Sequence, residues 1–116
     1  IHEGLNDFIT NNPKAKINFL FLDIIGNLRN KYNNHESHNI LNEKIVNEYY
    51  TNTKKILQKI KSNFVNNAII YIDLFYNYNH WEKGAYKALN DIFQNKDFIY
   101  LAVHKNKHDV CIQIKL

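Results

Sequence analysis

The chain has 116 residues, 45% of them apolar, and a formal net charge of +4, which fits one folded domain with a modest core and mildly favours anionic partners. Its single cysteine, Cys111, excludes an intramolecular disulfide and a four-thiolate zinc site, so a reducing, cytoplasmic setting is expected, with no metal or cofactor. No apolar run reaches the roughly 20 residues of a bilayer-spanning helix, because Asp23 and Asp73 interrupt the two nearest candidates.

Leu5, Phe8 and Ile9 predict a short first helix that ends at Asn11-Asn12-Pro13. Pro13 suits the opening of a second helix, with Asn12 as its cap. Apolar residues then recur at Ile17, Leu20, Phe21, Ile24, Ile25, Leu28 and Tyr32, the spacing of an amphipathic helix. Read alone, Ile17 to Leu22 also fits a strand. The continuation to Tyr32 favours one central helix, with Phe19 and Leu22 widening its apolar face.

A polar break over 33–38 precedes a long helix from Asn39 to about Phe64, capped by Ser37 or Asn39. Its stripe is Leu41, Ile45, Tyr49, Ile56, Ile60 and Phe64, and its other side carries Lys54, Lys55, Lys59 and Lys61. Ala68 to Tyr76 is β-branched and aromatic on both faces, as in a central strand. Asp73 lies within that run. An unpaired carboxylate there is costly, so a polar partner or a place at the strand end is expected. Helical spacing returns from Trp81 to Phe93 through Ala85 and Leu89.

Asp97 to Leu116 reads as a β-hairpin. With Asn106-Lys107 as the turn, His104 faces Asp109, Val103 faces Val110, Leu101 faces Ile112 and Ile99 faces Ile114. That register places these six apolar residues on one core face. The other face, with Phe98, Tyr100, Ala102, His104, Asp109, Cys111, Gln113 and Lys115, is half polar and invites a cover. The whole is expected to be a single α+β domain over 1–116, with three to four helices packed on a small sheet made of one central strand and a C-terminal β-hairpin. The chain contains no Met, so Ile1 is not a natural initiator and the natural N-terminus is expected to be missing.

The densest chemistry lies at the hairpin tip. His104 and His108 beside Asp109 have the groups for acid–base work, and Lys105 and Lys107 suit phosphate. That combination is what a metal-independent ribonuclease requires. A second patch, Tyr76, Tyr78, His80 and Trp81, has the composition of a binding hot spot. His35, Glu36 and His38 are read as a surface loop, and no Gly-rich phosphate loop or internal repeat is present.

Arg29, Asn30 and His35 resemble the Arg-spacer-His element of HEPN ribonucleases. The resemblance covers seven residues and implies an all-helical, RNA-cleaving domain.

Three functions follow as expectations. The first is a non-catalytic protein-binding domain, such as an immunity or antitoxin-type inhibitor of a partner enzyme, with Tyr76, Tyr78, His80 and Trp81 as contacts. The second is an RNA-binding domain or ribonuclease toxin using His104, His108 and Asp109 with Lys105 and Lys107. The third is a winged-helix-like DNA-binding domain that inserts the helix at Trp81–Phe93.

Overall fold

A computed structural model describes residues 2–32, 41–105 and 108–116. Helix α1 (His2–Asn11) ends where Asn12 turns back, its amide N–H and its side chain both donating to the carbonyl of Phe8 at 2.8 and 2.9 Å. Pro13 does not open a helix. The segment after it is pinned by Asn63, whose buried side-chain amide donates to the carbonyls of Pro13 at 3.1 Å and Ala15 at 2.8 Å.

The single helix expected over Pro13 to Tyr32 is instead a strand, β1 (Ile17–Leu22), followed by a short helix, α2 (Ile25–Lys31). Ile17, Phe19 and Phe21 alternate with Leu20 and Leu22, and the aromatic and β-branched content suits a pleat. The three-four spacing that suggested one helix arises where two shorter elements abut at Asp23-Ile24. The all-helical domain implied by the HEPN resemblance is therefore not what the chain forms, and His35 lies outside the described residues.

Helix α3 (Glu43–Ile60) is capped by Asn42, whose extended backbone lets its side chain accept from the Ile45 N–H at 2.9 Å. This cap replaces Ser37 and Asn39, which lie outside the described residues. The stripe from Leu41 to Phe64 is buried throughout, as its spacing requires. A 3-10 turn at Lys61–Asn63 leads into strand β2 (Phe64–Ile72), which begins and ends four residues earlier than the apolar run suggested. The Trp81–Phe93 helix is split at Gly84 into a 3-10 turn (Trp81–Lys83) and α4 (Ala85–Ile92). Tyr78 lies under that split, and a Cβ at Gly84 would collide with its hydroxyl.

Strands β3 (Phe98–His104) and β4 (Asp109–Ile114) form the expected hairpin. The sheet has four strands in the order β1-β2-β4-β3, with β1 parallel to β2 and the other pairs antiparallel. Among the described residues the architecture is α+β with four helices and a mixed sheet, one strand more than a central strand and a hairpin. Val103 pairs with Val110 and His104 with Asp109, as predicted. Farther from the turn the register slips at a bulge between Tyr100 and Ala102. Tyr100 then faces Ile112 and Phe98 faces Ile114, so Ile99 moves to the other side and faces Gln113.

Core packing explains which face wins. Val110, Ile112 and Ile114 join Ala68, Ile70 and Ile72 in one apolar cluster with Ile45, Tyr49, Leu57 and Leu89 from the helices. Helices α1, α2 and α4 all pack on α3, so the helical layer covers one side of the sheet. Among the described residues no element covers the opposite side.

Candidate binding surface

The open side follows from the pairings. Residues directly opposite in neighbouring strands share a face, and alternate residues along a strand return to it. One row across β1, β2, β4 and β3 is Phe19, Ile69, Gln113 and Ile99. The next is Phe21, Tyr71, Cys111 and Ala102. Phe19 is 59% exposed, Phe21 51% and Ile99 44%. Phe21 and Tyr71 stack nearly parallel, with ring centroids 5.2 Å apart. Two of the three rows on this face are thus mainly apolar and in contact with solvent.

The third row is ionic. Leu22 pairs with Ile72, and Ile72 with Val110, so the next residues along, Asp23, Asp73 and Asp109, fall side by side, with His104 beyond Asp109. Asp109 is only 2% exposed. One of its oxygens accepts from the Leu74 N–H at 2.8 Å, and the other from the Tyr71 hydroxyl at 2.6 Å. Asp73 is half-buried and hydrogen-bonded to both Asp109 and Asp23, which gives it the partners expected of it. Burial, and then those two acidic neighbours, push the Asp73 carboxyl up to about 7. Burial also opposes charge on Asp109, but hydrogen bonds from Asp73, Tyr71 and the Leu74 N–H outweigh it and hold this carboxyl below the usual range. The Tyr71 hydroxyl, bonded to that carboxylate, rises to about 12. Among the described residues no group of three or more His, Cys, Asp and Glu is arranged to hold a metal ion.

The tip residues sit in different surroundings. His104 is exposed beside Asp109 in the ionic row, whereas His108, with φ 58°, packs edge-on against Tyr76 at 5.5 Å, its Nδ1 3.4 Å from the Asn77 amide. The His108 carbonyl accepts from the N–H groups of Phe75 and Tyr76 at 2.8 and 3.3 Å, so the tip anchors the loop after β2. Asp109 has both oxygens committed to that same anchoring. Lys105 is exposed, and Lys107 lies outside the described residues.

The aromatic patch is unevenly exposed. Tyr78 is buried, Trp81 is half-buried edge-on against Tyr86 at 5.0 Å, and Tyr76 lies against the tip. Of these four only His80 is exposed, in a left-handed turn conformation. Lys54 pairs with Asp91 at 3.5 Å, and Lys55 and Lys59 are exposed on the far side of α3. Phe19 and Phe21 are not expected contacts while Ile17 to Tyr32 reads as one buried helix, and Tyr71 lies in a run that reads as apolar on both faces. The usable signal was a repeat of form: Phe19-Leu-Phe-Leu-Asp23 and Ile69-Ile-Tyr-Ile-Asp73 are both apolar runs ending in Asp.

No protein-family model, no curated protein and no solved structure matches this chain. No described helix is long and apolar enough to cross a membrane.

Proposed function

We propose that this chain is a non-catalytic protein-binding domain, of the kind that serves as an immunity or antitoxin-type inhibitor of a partner enzyme, and that it binds through the open face of its sheet. The observation that carries this reading is the pair of solvent-facing rows built on Phe19, Phe21, Ile69, Tyr71 and Ile99. Clustered exposed aromatic and aliphatic side chains of this sort mark association surfaces. In this reading the contacts lie on β1, β2 and β3, whereas Tyr78 and Trp81 pack in and against the core. Asp23, Asp73 and Asp109 alongside those rows favour a protein over a nucleic acid, because carboxylates repel phosphates.

The test is affinity capture from the protein's own cell extract. Wild type and His104→Ala should retain the same stoichiometric protein, and Phe21→Glu should lose it while keeping its fold. RNA that copurifies in a salt-sensitive way, and is cleaved by wild type but not by His104→Ala, would replace this reading with the ribonuclease.

A further inference from the structure

We propose that the segment after β2 is latched to the hairpin by a proton shared between Asp73 and Asp109, and that losing this proton as pH rises loosens the latch. The latch belongs to the free chain and is independent of what binds the open face. Three successive amides hang on two adjacent residues. The Leu74 N–H donates to the Asp109 carboxylate at 2.8 Å, and the N–H groups of Phe75 and Tyr76 donate to the His108 carbonyl at 2.8 and 3.3 Å. Two residues of this bridge hold left-handed backbone, Leu74 with φ 46° and His108 with φ 58°. L side chains rarely adopt that conformation, so the bridge has to offset its cost. Asp109 is the centre of the bridge. It accepts from both Leu74 and Tyr71 while almost fully buried, and those bonds favour its charged form.

Asp73 stands beside Asp109, because the antiparallel pairing of Ile72 with Val110 puts the next residue of one strand level with the preceding residue of the other. Two carboxyls in contact, one of them buried, do not both ionise readily. With Asp109 charged, the proton stays on Asp73, which donates it to Asp109. The other elements add to this. Asp23, after β1, is a second acid against Asp73. Tyr71 on β2 and Tyr49 on α3 face it with neutral hydroxyls, that of Tyr49 donating to the Asp73 carbonyl. His104 on β3 faces Asp109 and favours its charge. Asp73 therefore keeps its proton to about pH 7. Once it ionises, drawing residues 73–76 back from β4 separates the two charges. The side chains of Leu74 and Phe75 are buried, and Asn79 holds the backbone of Leu41 at 2.9 and 2.8 Å, so the backbone bridge loosens and the core stays closed. The latched state binds an extra proton between the ordinary 3.8 and about 7. Latching is therefore strongest below about pH 4, weakens up to about pH 7 and is level above it.

Amide hydrogen exchange of the free chain at about pH 5 and pH 7.5, corrected for the intrinsic rate and repeated in low urea, tests this. In wild type the opening of Leu74, Phe75 and Tyr76 should rise about tenfold from the lower to the higher pH. It should respond little to urea, as local opening does. Asp73→Asn keeps a donor toward Asp109 and cannot ionise, so its three amides should stay at the low-pH level throughout. Asp73→Ser, with neither the charge nor the reach, should be more open and equally insensitive to pH. The amides of Val46 and Tyr49 within α3 report global unfolding and show that each variant is folded. Wild-type opening that is the same at both pH values overturns the proposal. So does a rise that persists in Asp73→Asn and Asp73→Ser, because the titrating group is then another, such as His104 or His108. If the three amides follow urea as Val46 and Tyr49 do, the segment opens only with the whole domain, and there is no latch.

Discussion

Replacing Asp109 separates an architectural carboxylate from a catalytic one. Its oxygens satisfy the N–H of Leu74, which is fully buried with φ 46°, and the hydroxyl of Tyr71. Asp109→Ala leaves the Leu74 N–H without that acceptor, and a buried unsatisfied donor costs about 1–3 kcal/mol. The Tyr71 hydroxyl can turn to water, so its bond adds about 1 kcal/mol. The sum, about 3 kcal/mol, lowers the melting temperature of a domain of this size by roughly 12–20 °C. Asp109→Asn keeps one acceptor for Leu74 and should cost about 1 kcal/mol. Urea unfolding followed by circular dichroism measures both. A loss under about 0.5 kcal/mol in Asp109→Ala would refute the anchoring role and return Asp109 to the candidate acid–base group.

Stability should also depend on Asp73. Its carboxyl titrates near 7 in the fold against an ordinary 3.8, so the folded state holds the extra proton between those values. The stabilisation is complete below about pH 4 and disappears as pH rises through 7, amounting to about 1–2 kcal/mol once solvent screening of a half-buried group is allowed for. Asp109, depressed, acts only below its ordinary value, so melting between pH 4.5 and 8 isolates Asp73; Asp73→Asn should flatten the slope, and a wild-type stability that rises over this range would contradict the assignment. Gly84→Ala should cost about 1–3 kcal/mol by forcing the added methyl against the buried Tyr78 hydroxyl. Most of that cost should vanish in a Tyr78→Phe background, and an equal cost in both backgrounds would count against the contact. Asn63→Ala should lose about 2 kcal/mol, because its amide holds the carbonyls of Pro13 and Ala15, and an unchanged urea midpoint would dismiss that role.

Much of the scaffold was legible in the sequence because its periodicity is long or its turn is tight. The stripe of α3 runs over five turns, and no strand pattern competes with it. The register beside the turn, Val103 with Val110 and His104 with Asp109, is legible because a short connection leaves little choice there. The bulge after Tyr100 was not legible, since Phe98-Ile-Tyr-Leu-Ala-Val is apolar at every position and gives no preference between faces. Ile17 to Leu22 failed for a related reason. A six-residue strand running into a seven-residue helix mimics one longer helix, and only pairing with β2, some fifty residues away, separates them. Reading that stretch as one helix puts Phe19 and Phe21 inside, so the candidate surface is not legible from it. Asp73 was marked by the cost of a charge in an apolar run. Its neighbours Asp23 and Asp109 are distant in sequence, and only the sheet order brings them together.

Cys111 offers the most direct test of the open face as the binding surface. It is the only cysteine, half-exposed in the row between Tyr71 and Ala102. Its rate of alkylation by a maleimide reports whether that face is covered. The rate should be fastest in dilute free protein and in Phe21→Glu. It should fall at least tenfold when the captured partner is bound. Alkylation of Cys111 at the free rate, in a complex shown to be intact, would contradict the assignment of the binding surface to this side of the sheet.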